Sequence, residues 1–164
     1  MTSQPLLSIR RLKVQFAVRE GLVRAVDGVD VDAHAGKTLC IVGESGSGKS
    51  MLARSILQIV SRPGRVTDGE IVFRREGQEP VDIAKLDPAG KQIRAIRGRD
   101  IAMIFQEPMN SLSPVHSVGN QLVEKILLHH KIGKKAAVER AVDALDKVGI
   151  PNPRERLARL GEAA

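Results

Sequence analysis

Residues 43–50, Gly-Glu-Ser-Gly-Ser-Gly-Lys-Ser, fit the pattern G-x-x-x-x-G-K-[ST]. This octet constrains the fold more than any other stretch, because a phosphate-cradling loop of this kind needs a strand before it and a helix after it. Both are legible. Thr38–Val42 is a short apolar run, read as a buried strand. Ser50 to Val60 places Leu52, Ile56, Ile59 and Val60 on one stripe, which predicts a helix. Glycines at 43, 46 and 48 let the backbone turn tightly and present successive N–H groups to phosphate oxygens, and the helix start adds the positive end of its dipole. Lys49 brings a mobile ammonium to the outer phosphates, and the Ser50 hydroxyl suits Mg2+. A glycine- and serine-rich turn that binds nothing would match these four fixed positions by chance in only about one of tens of thousands of windows. The octet therefore reads as the site of a nucleotide polyphosphate.

The rest of the composition narrows the class. A chain of 164 residues has a one-domain length and buries roughly two-thirds of its unfolded surface if it folds alone. Apolar content of 42% and charged content of 27% describe an ordinary globular protein. The one cysteine, Cys40, sits in the apolar run before the loop and reads as a small core residue. No disulfide framework or zinc spacing is present, which fits a reducing cytoplasm. No apolar run approaches the length that spans a bilayer, and the N-terminus has no signal-peptide core. The net charge of +7 suggests anionic partners, yet the basic residues are scattered, from Arg10-Arg11 to Arg154–Arg159. With aromatics at 2% and no Trp or Tyr, the stacking platforms of single-strand binders are missing, so no nucleic-acid partner is expected. Anionic lipid is as good a candidate as DNA, and a solvated charge distribution is simpler than either. Lys131, Lys134 and Lys135 read most simply as a solvated helix end.

Along the chain, Leu12, Val14, Phe16 and Val18 alternate with polar residues, and Val29, Val31 and Ala33 alternate again. These predict short antiparallel strands leading into the loop. Ser61-Arg62-Pro63-Gly64 breaks the following helix. Asp68–Phe73 reads as a strand that pairs with the first ones. Asp87-Pro88 and Gly98 bracket a helix over 88–97, and Asp100–Phe105 reads as a second buried strand. Glu107–Pro114 is a loop, 118–130 a helix capped by Ser117, and 135–148 another with Val138, Ala141, Val142, Leu145 and Val148 on one face. Residues 154–160 predict one or two further helical turns.

Three stretches together carry a resemblance. They are the octet 43–50, the run Phe105-Gln106-Glu107-Pro108-Met109-Asn110-Ser111-Leu112-Ser113-Pro114, and Gly21–Val29 upstream. With Val148-Gly149-Ile150-Pro151, they resemble the nucleotide-binding subunit of ATP-binding cassette (ABC) importers, closest to the dipeptide/oligopeptide branch, from about Leu6 to about Leu157. The resemblance implies an α/β fold, a P-loop NTPase of ABC type. It would form one incomplete nucleotide-binding domain. Residues 1–36 and 66–75 would be an antiparallel β subdomain, 37–65 and 86–106 a partial RecA-like core, and 107–160 the glutamine loop and the start of a helical subdomain.

It also implies the site. ATP and Mg2+ would be held by Gly43, Glu44, Ser45, Gly46, Ser47, Gly48, Lys49, Ser50 and the adjoining Met51, with Glu44 and Ser45 contributing backbone. Phe16 falls where the family has an aromatic that stacks on adenine, although a Phe in an alternating strand is otherwise core. Gln106 matches the glutamine that approaches Mg2+ and the attacking water. Lys49 and Gln106 would be the catalytic pair, and Ser50 and Gln106 the metal ligands. Residues 107–119 would meet integral-membrane permease subunits, and a second ATP-binding subunit would complete the pair, at the cytoplasmic face of the membrane. His34, His116, His129 and His130 do not fill the family's switch-histidine position and are expected at the surface.

Three of the family's later elements have no counterpart in the 164 residues: the Leu-Ser-Gly-Gly-Gln type signature, the apolar strand ending in Asp-Glu and the switch histidine. No apolar strand ends in Asp-Glu, and the only Ser-Gly pairs lie inside the octet. Early termination, a frameshift or a deliberate short form is therefore expected, with an unpaired sheet edge that invites aggregation. Phosphoryl transfer depends on positioned metal and water-orienting groups, so negligible turnover by this chain alone is expected. The function read is an ATP-binding importer subunit, and the alternative is a non-catalytic nucleotide-binding fragment. Another P-loop enzyme, such as a GTPase or small-molecule kinase, finds no Asn-Lys-x-Asp motif to support it.

Overall fold

The computed structural model describes the backbone of residues 4–106, 113 and 115–159, and the side chains of all of these except 158 and 159. The chain divides into two units, Met1–Arg97 and Gly98–Ala164.

In the first unit the alternating segments form a sheet. Strands β1 (Leu7–Val18), β2 (Gly21–Ala33), β3 (Gly64–Phe73) and β4 (Val81–Asp82) lie in the order β2-β1-β3-β4, and every pairing is antiparallel. The expected pairing of the third strand with the first is observed. β1 is hydrogen-bonded on both edges: Ile9 faces Val31 on one side and Ile71 on the other, and Val14 faces Val26 and Val66. The alternation works as expected at its centre, where Leu12 and Val14 are buried, but Val18 at the strand end is exposed. Near Arg11 the strand bulges. Arg11 takes a positive φ of 48°, and its N–H donates to Asp30 Oδ1 at 2.6 Å. Opposite it Gly69 lets β3 close in, since a Cβ there would stand 2.6 Å from Leu12 Cα.

The sheet's buried face, with Ile9, Leu12, Val14, Ile71 and Phe73, is accompanied in the core by Leu52 and Leu57, Ile83 of a 3-10 turn (Ile83–Lys85), and Ile93 and Ile96. Helix α1 runs Lys49–Ile56, shorter than the expected 50–60, because Gln58 adopts a left-handed φ of 50° and turns the chain. Helix α2 is Lys91–Ile96, starting at Gly90 rather than at Asp87. The Asp87 carboxylate instead accepts from Ala89 N–H in a local turn, which delays the helix. Gly98 follows the last turn with φ 81°, in the position expected of it.

Three expectations of burial are corrected. Thr38–Val42 is irregular, not a strand, and Val42 is 88% exposed. Residues 102–105 are likewise irregular, with Ile104 94% exposed. Cys40 shares the first segment's fate and is exposed rather than in the core. The physical reason is common to all three. A strand's N–H and C=O groups need a neighbouring strand, and among the described residues none lies beside either run.

In the second unit, α3 (Val118–His129), α4 (Lys134–Lys147) and α5 (Pro153–Arg159) pack around Val123, Ala137, Ala141 and Leu157. The Ser117 hydroxyl caps α3 by accepting from Asn120 N–H at 3.2 Å, as expected. Gly149 follows α4 with φ 76°. Ala141, Val142, Leu145 and Val138 face the cluster, but Val148 is exposed, because α4 ends at Lys147 and the chain turns away. Arg154 grips both carboxylate oxygens of Glu139, tying α5 to α4.

Ile71 has no exposed surface, so Ile71→Ala is expected to cost about 2–5 kcal/mol. Ile41, though apolar, is 46% exposed, and Ile41→Ala should change stability by no more than about 0.5 kcal/mol. Urea unfolding of the two variants checks both. A loss at Ile41 as large as that at Ile71 would mean that residues 38–42 are packed.

Candidate phosphate-binding site

The octet forms an exposed loop that runs into α1. Gly48 is the residue before the helix, at φ 90° and ψ −1°, and no side chain caps the helix start. That left-handed conformation favours glycine, and space requires it too: a Cβ at Gly48 would lie 2.2 Å from the Ala25 carbonyl oxygen of β2. The loop is thereby pressed against the sheet. At its other end, a Cβ on Gly43 would stand 2.8 Å from Ser47 Oγ, so Gly43 and Ser47 approach closely across the loop.

Lys49 folds back into this ring. Its ammonium donates to Gly43 O at 2.7 Å, Glu44 O at 2.5 Å and Ser47 Oγ at 3.3 Å. The Ser47 N–H turns inward on Glu44 O at 3.3 Å, and α1 begins its own ladder with Leu52 N–H to Gly48 O at 2.8 Å. The first amides of the helix precede that ladder and have no intrahelical acceptor. Ser50, in the first turn, is exposed, and Met51 half-buried. The arrangement offers a polyanion one ammonium, a hydroxyl and a set of backbone donors at the positive end of a helix. It fits phosphate groups. For a divalent metal it offers the Ser50 hydroxyl, and among the described residues no group of three or more His, Cys, Asp or Glu side chains is placed to hold one. A metal there would complete its coordination from phosphate oxygens and water, as Mg2+ ordinarily does.

Phe16 lies on β1 opposite Gly64 and Val23. Its half-buried ring rests on Gly64, where a Cβ would stand 2.4 Å from Phe16 Cε1, and Val60 borders the same spot. The Gly48 contact at Ala25 falls beside the Val14↔Val26 and Gln15↔Arg24 pairs, so Phe16 is one or two residues along the register from where the loop meets the sheet. Gln106 belongs to the second unit, exposed at the end of the irregular segment 102–105.

Residues 107–112 and 114 of the proposed docking stretch lie outside the described residues. Its described end is held by Gln121, whose side chain accepts from Ser113 N–H at 2.9 Å and donates to His116 O at 2.8 Å. Of the histidines, His116 and His130 are exposed as expected, whereas His34 and His129 are half-buried.

Sequence reasoning missed the anchor at the far end of α1. The Gln58 amide donates to Ile83 O and, at 3.1 Å, to Leu86 O. Arg97 donates through Nε to Leu57 O at 2.8 Å and through Nη2 to Gln58 O at 2.9 Å. Partial burial draws the guanidinium's pKa below its ordinary value, and its two carbonyl acceptors compensate that desolvation. The helix that begins at the loop is thus fixed at its end by the 3-10 turn and by the residue that closes α2, and no local pattern announces partners so far apart. Arg97→Met leaves two carbonyls without their donor and is expected to cost about 1–3 kcal/mol. Urea unfolding measures it, and a neutral result would mean that water replaces the guanidinium without loss.

The family described as ABC transporter matches residues 26–162. A dipeptide transport ATP-binding protein, DppD of Bacillus subtilis, is 44% identical over 155 residues, covering 94% of this chain and 44% of its own length. The oligopeptide transport ATP-binding protein OppD of the same organism is 42% identical over 153 residues, covering 93% and 41%. A relative from Brucella melitensis, named for peptide import, is 42% identical over 157 residues, covering 95% and 46%. The chain thus spans less than half the length of these relatives. Among solved structures, the dimeric MJ0796 cassette, a bacterial ABC transporter cassette, superposes with a TM-score of 0.71 at 18% identity, over 94% of this chain and 67% of that one. That likeness shows the α/β cassette fold.

Proposed function

The chain belongs to the ABC transporter family, and we propose that it is the ATP-binding part of an importer subunit that couples ATP binding and hydrolysis to uptake of peptides or related solutes. The observation that carries this reading is the Lys49 ammonium seated in a glycine-built loop at an uncapped helix start. The names of the relatives, dipeptide and oligopeptide transport ATP-binding proteins, support the solute class.

In this reading Gly43–Gly48 present backbone donors to the triphosphate, and Met51 lies beside them in the first turn of α1. The Lys49 ammonium exchanges the carbonyls of Gly43 and Glu44 for outer phosphate oxygens. Phe16 stacks on the adenine from the neighbouring strand. Mg2+, when bound with the nucleotide, neutralises phosphate charge, and Ser50 with Gln106 would be its protein ligands. Gln106 orients the attacking water. Residues 107–119 meet permease subunits, and a second ATP-binding subunit faces the nucleotide, at the cytoplasmic side of the membrane. No helix among the described residues is long and apolar enough to cross a bilayer.

One observation favours a second, narrower reading for these 164 residues taken alone. The sequence has no apolar run followed by Asp-Glu. On that ground the chain binds nucleotide without appreciable turnover.

Thermal unfolding tests both readings. Saturating Mg-ATP at 100 times its Kd is expected to raise Tm by about 5–11 °C, while Lys49→Ala shows little shift and GTP shifts less than ATP. A Tm indifferent to ATP would sink nucleotide binding. A steady-state ATPase assay on the 164-residue chain is expected to read at the level of Lys49→Ala, and turnover well above that level would overturn the narrower reading.

A further inference from the structure

The turn between α3 and α4 brings together two features that the nucleotide site does not use. Leu127 and Leu128, in the last turn of α3, are 38% and 69% exposed. Leu128 lies on the side away from Val123 and Ile126, which face the helical core, and Leu127, one turn on from Val123, flanks that core. Around them stand cations. From Lys125 to Val138 the chain carries Lys125, Lys131, Lys134 and Lys135, with His129 and His130 and no acidic residue. Lys131, Lys134 and Lys135 are exposed, as is His130. Because only four residues separate α3 from α4, the leucines and the lysines occupy the same end of the helical hairpin.

The placement opposes local stability. Lys134 and Lys135 open α4, where the helix dipole is positive, and that first turn has neither an acidic residue nor a side-chain cap. Cations at a helix start cost stability rather than add to it. The acids of α4 lie further on: Glu139 is gripped by Arg154, and Asp143 and Asp146 sit in its second half. The acid that adjoins the leucines is Glu124, one turn earlier on α3 and exposed, with Lys125 beside it. Lys135 shares the field of Glu139, one turn on along α4. The apolar pair beside this run of exposed lysines still complements a surface that is negative outside and apolar beneath, which is an anionic bilayer.

We infer that the α3–α4 corner is a membrane-contact surface, in which Leu127 and Leu128 enter the headgroup layer while Lys131, Lys134 and Lys135 engage anionic lipid. This surface does not involve the phosphate loop, so Lys49→Ala should bind vesicles as well as the unaltered chain does, and failure of one reading leaves the other standing.

The absence of Trp from the chain makes a direct probe available. Leu128→Trp is expected to show a blue-shifted emission on vesicles of phosphatidylcholine with about 30% phosphatidylserine, an anionic surface of the kind that attracts lysines, and none on phosphatidylcholine alone. In co-sedimentation with the same anionic vesicles, Lys131→Ala/Lys134→Ala/Lys135→Ala should weaken partitioning by about a hundredfold at low salt. A control with equal charge loss elsewhere, Arg19→Ala/Lys91→Ala/Arg140→Ala, should change it far less. Leu127→Ser/Leu128→Ser should also weaken it, while free glycerophosphoserine at millimolar concentration should not compete. Circular dichroism confirms that each variant is folded. Equal losses in the patch and control triples would reduce the effect to net charge and overturn the proposal. An unshifted emission from the Leu128→Trp variant on anionic vesicles would overturn it too. So would binding to duplex DNA as tight as to vesicles and indifferent to the leucine variant, which would mark a polyanion surface instead.

Discussion

β1 is the strand on which the first unit depends, because it alone is hydrogen-bonded at length along both edges. Its register against β2 sets where the Ala25 carbonyl stands, and that oxygen is what Gly48 meets. Its register against β3 sets Phe16 over Gly64. A one-residue slip would turn every buried side chain of the strand outward, and would move the loop contact and the aromatic together. The bulge at Arg11 is held by Asp30 and accommodated by Gly69, and a further register shift between Val14 and Gln15 falls beside the Ala25 contact. The phosphate loop is therefore located from two directions: by the sheet at Gly48, and by Arg97 and Gln58 at the end of the helix it starts.

What was legible in the sequence was what local chemistry decides. Ser117 caps α3 because its own hydroxyl reaches an amide three residues on, and Gly98 and Gly149 end helices because their positive φ suits a residue without a Cβ. The octet is legible for the same reason, since its glycines, lysine and serine act within eight residues of one another. The runs 38–42 and 100–105 were misread because burial is not local. Leu39, Ile41 and Val42 have the composition of a core strand, yet a strand is made by its neighbours, and none stands beside them among the described residues. Cys40 followed its run outward. The Arg97 anchor was illegible in the opposite sense: its acceptors lie 39 and 40 positions back along the chain, and nothing about an arginine after an isoleucine marks it for a helix terminus.

The resting geometry of Lys49 bears on what the loop selects. Its ammonium already has three oxygen partners, so a ligand that offers only replacement acceptors gains little, because exchanging one hydrogen bond for another is nearly neutral. The gain must come from groups the lysine does not satisfy, namely the N–H donors of the loop and of the first turn of α1. Only a ligand with several negative oxygens spread over a few ångströms uses both sets at once. This favours a polyphosphate over a single small anion, from geometry alone.

Helices α1 and α4 make the point by contrast. Both follow a glycine, both lack a side-chain cap, and both open with lysine. At α1 the lysine bends back onto carbonyls that the loop turns toward it, so the cation is held by its own chain until a polyanion arrives. At α4 the residue before the helix is extended, with ψ near 159°, and no loop wraps round to supply such carbonyls. Lys134 and Lys135 project into solvent against the dipole, next to leucines that also project. The same local sequence logic, glycine then lysine at a helix start, thus folds one lysine back onto carbonyls at α1 and leaves exposed lysines at α4. The number of backbone carbonyls that the preceding loop turns back toward the lysine decides which.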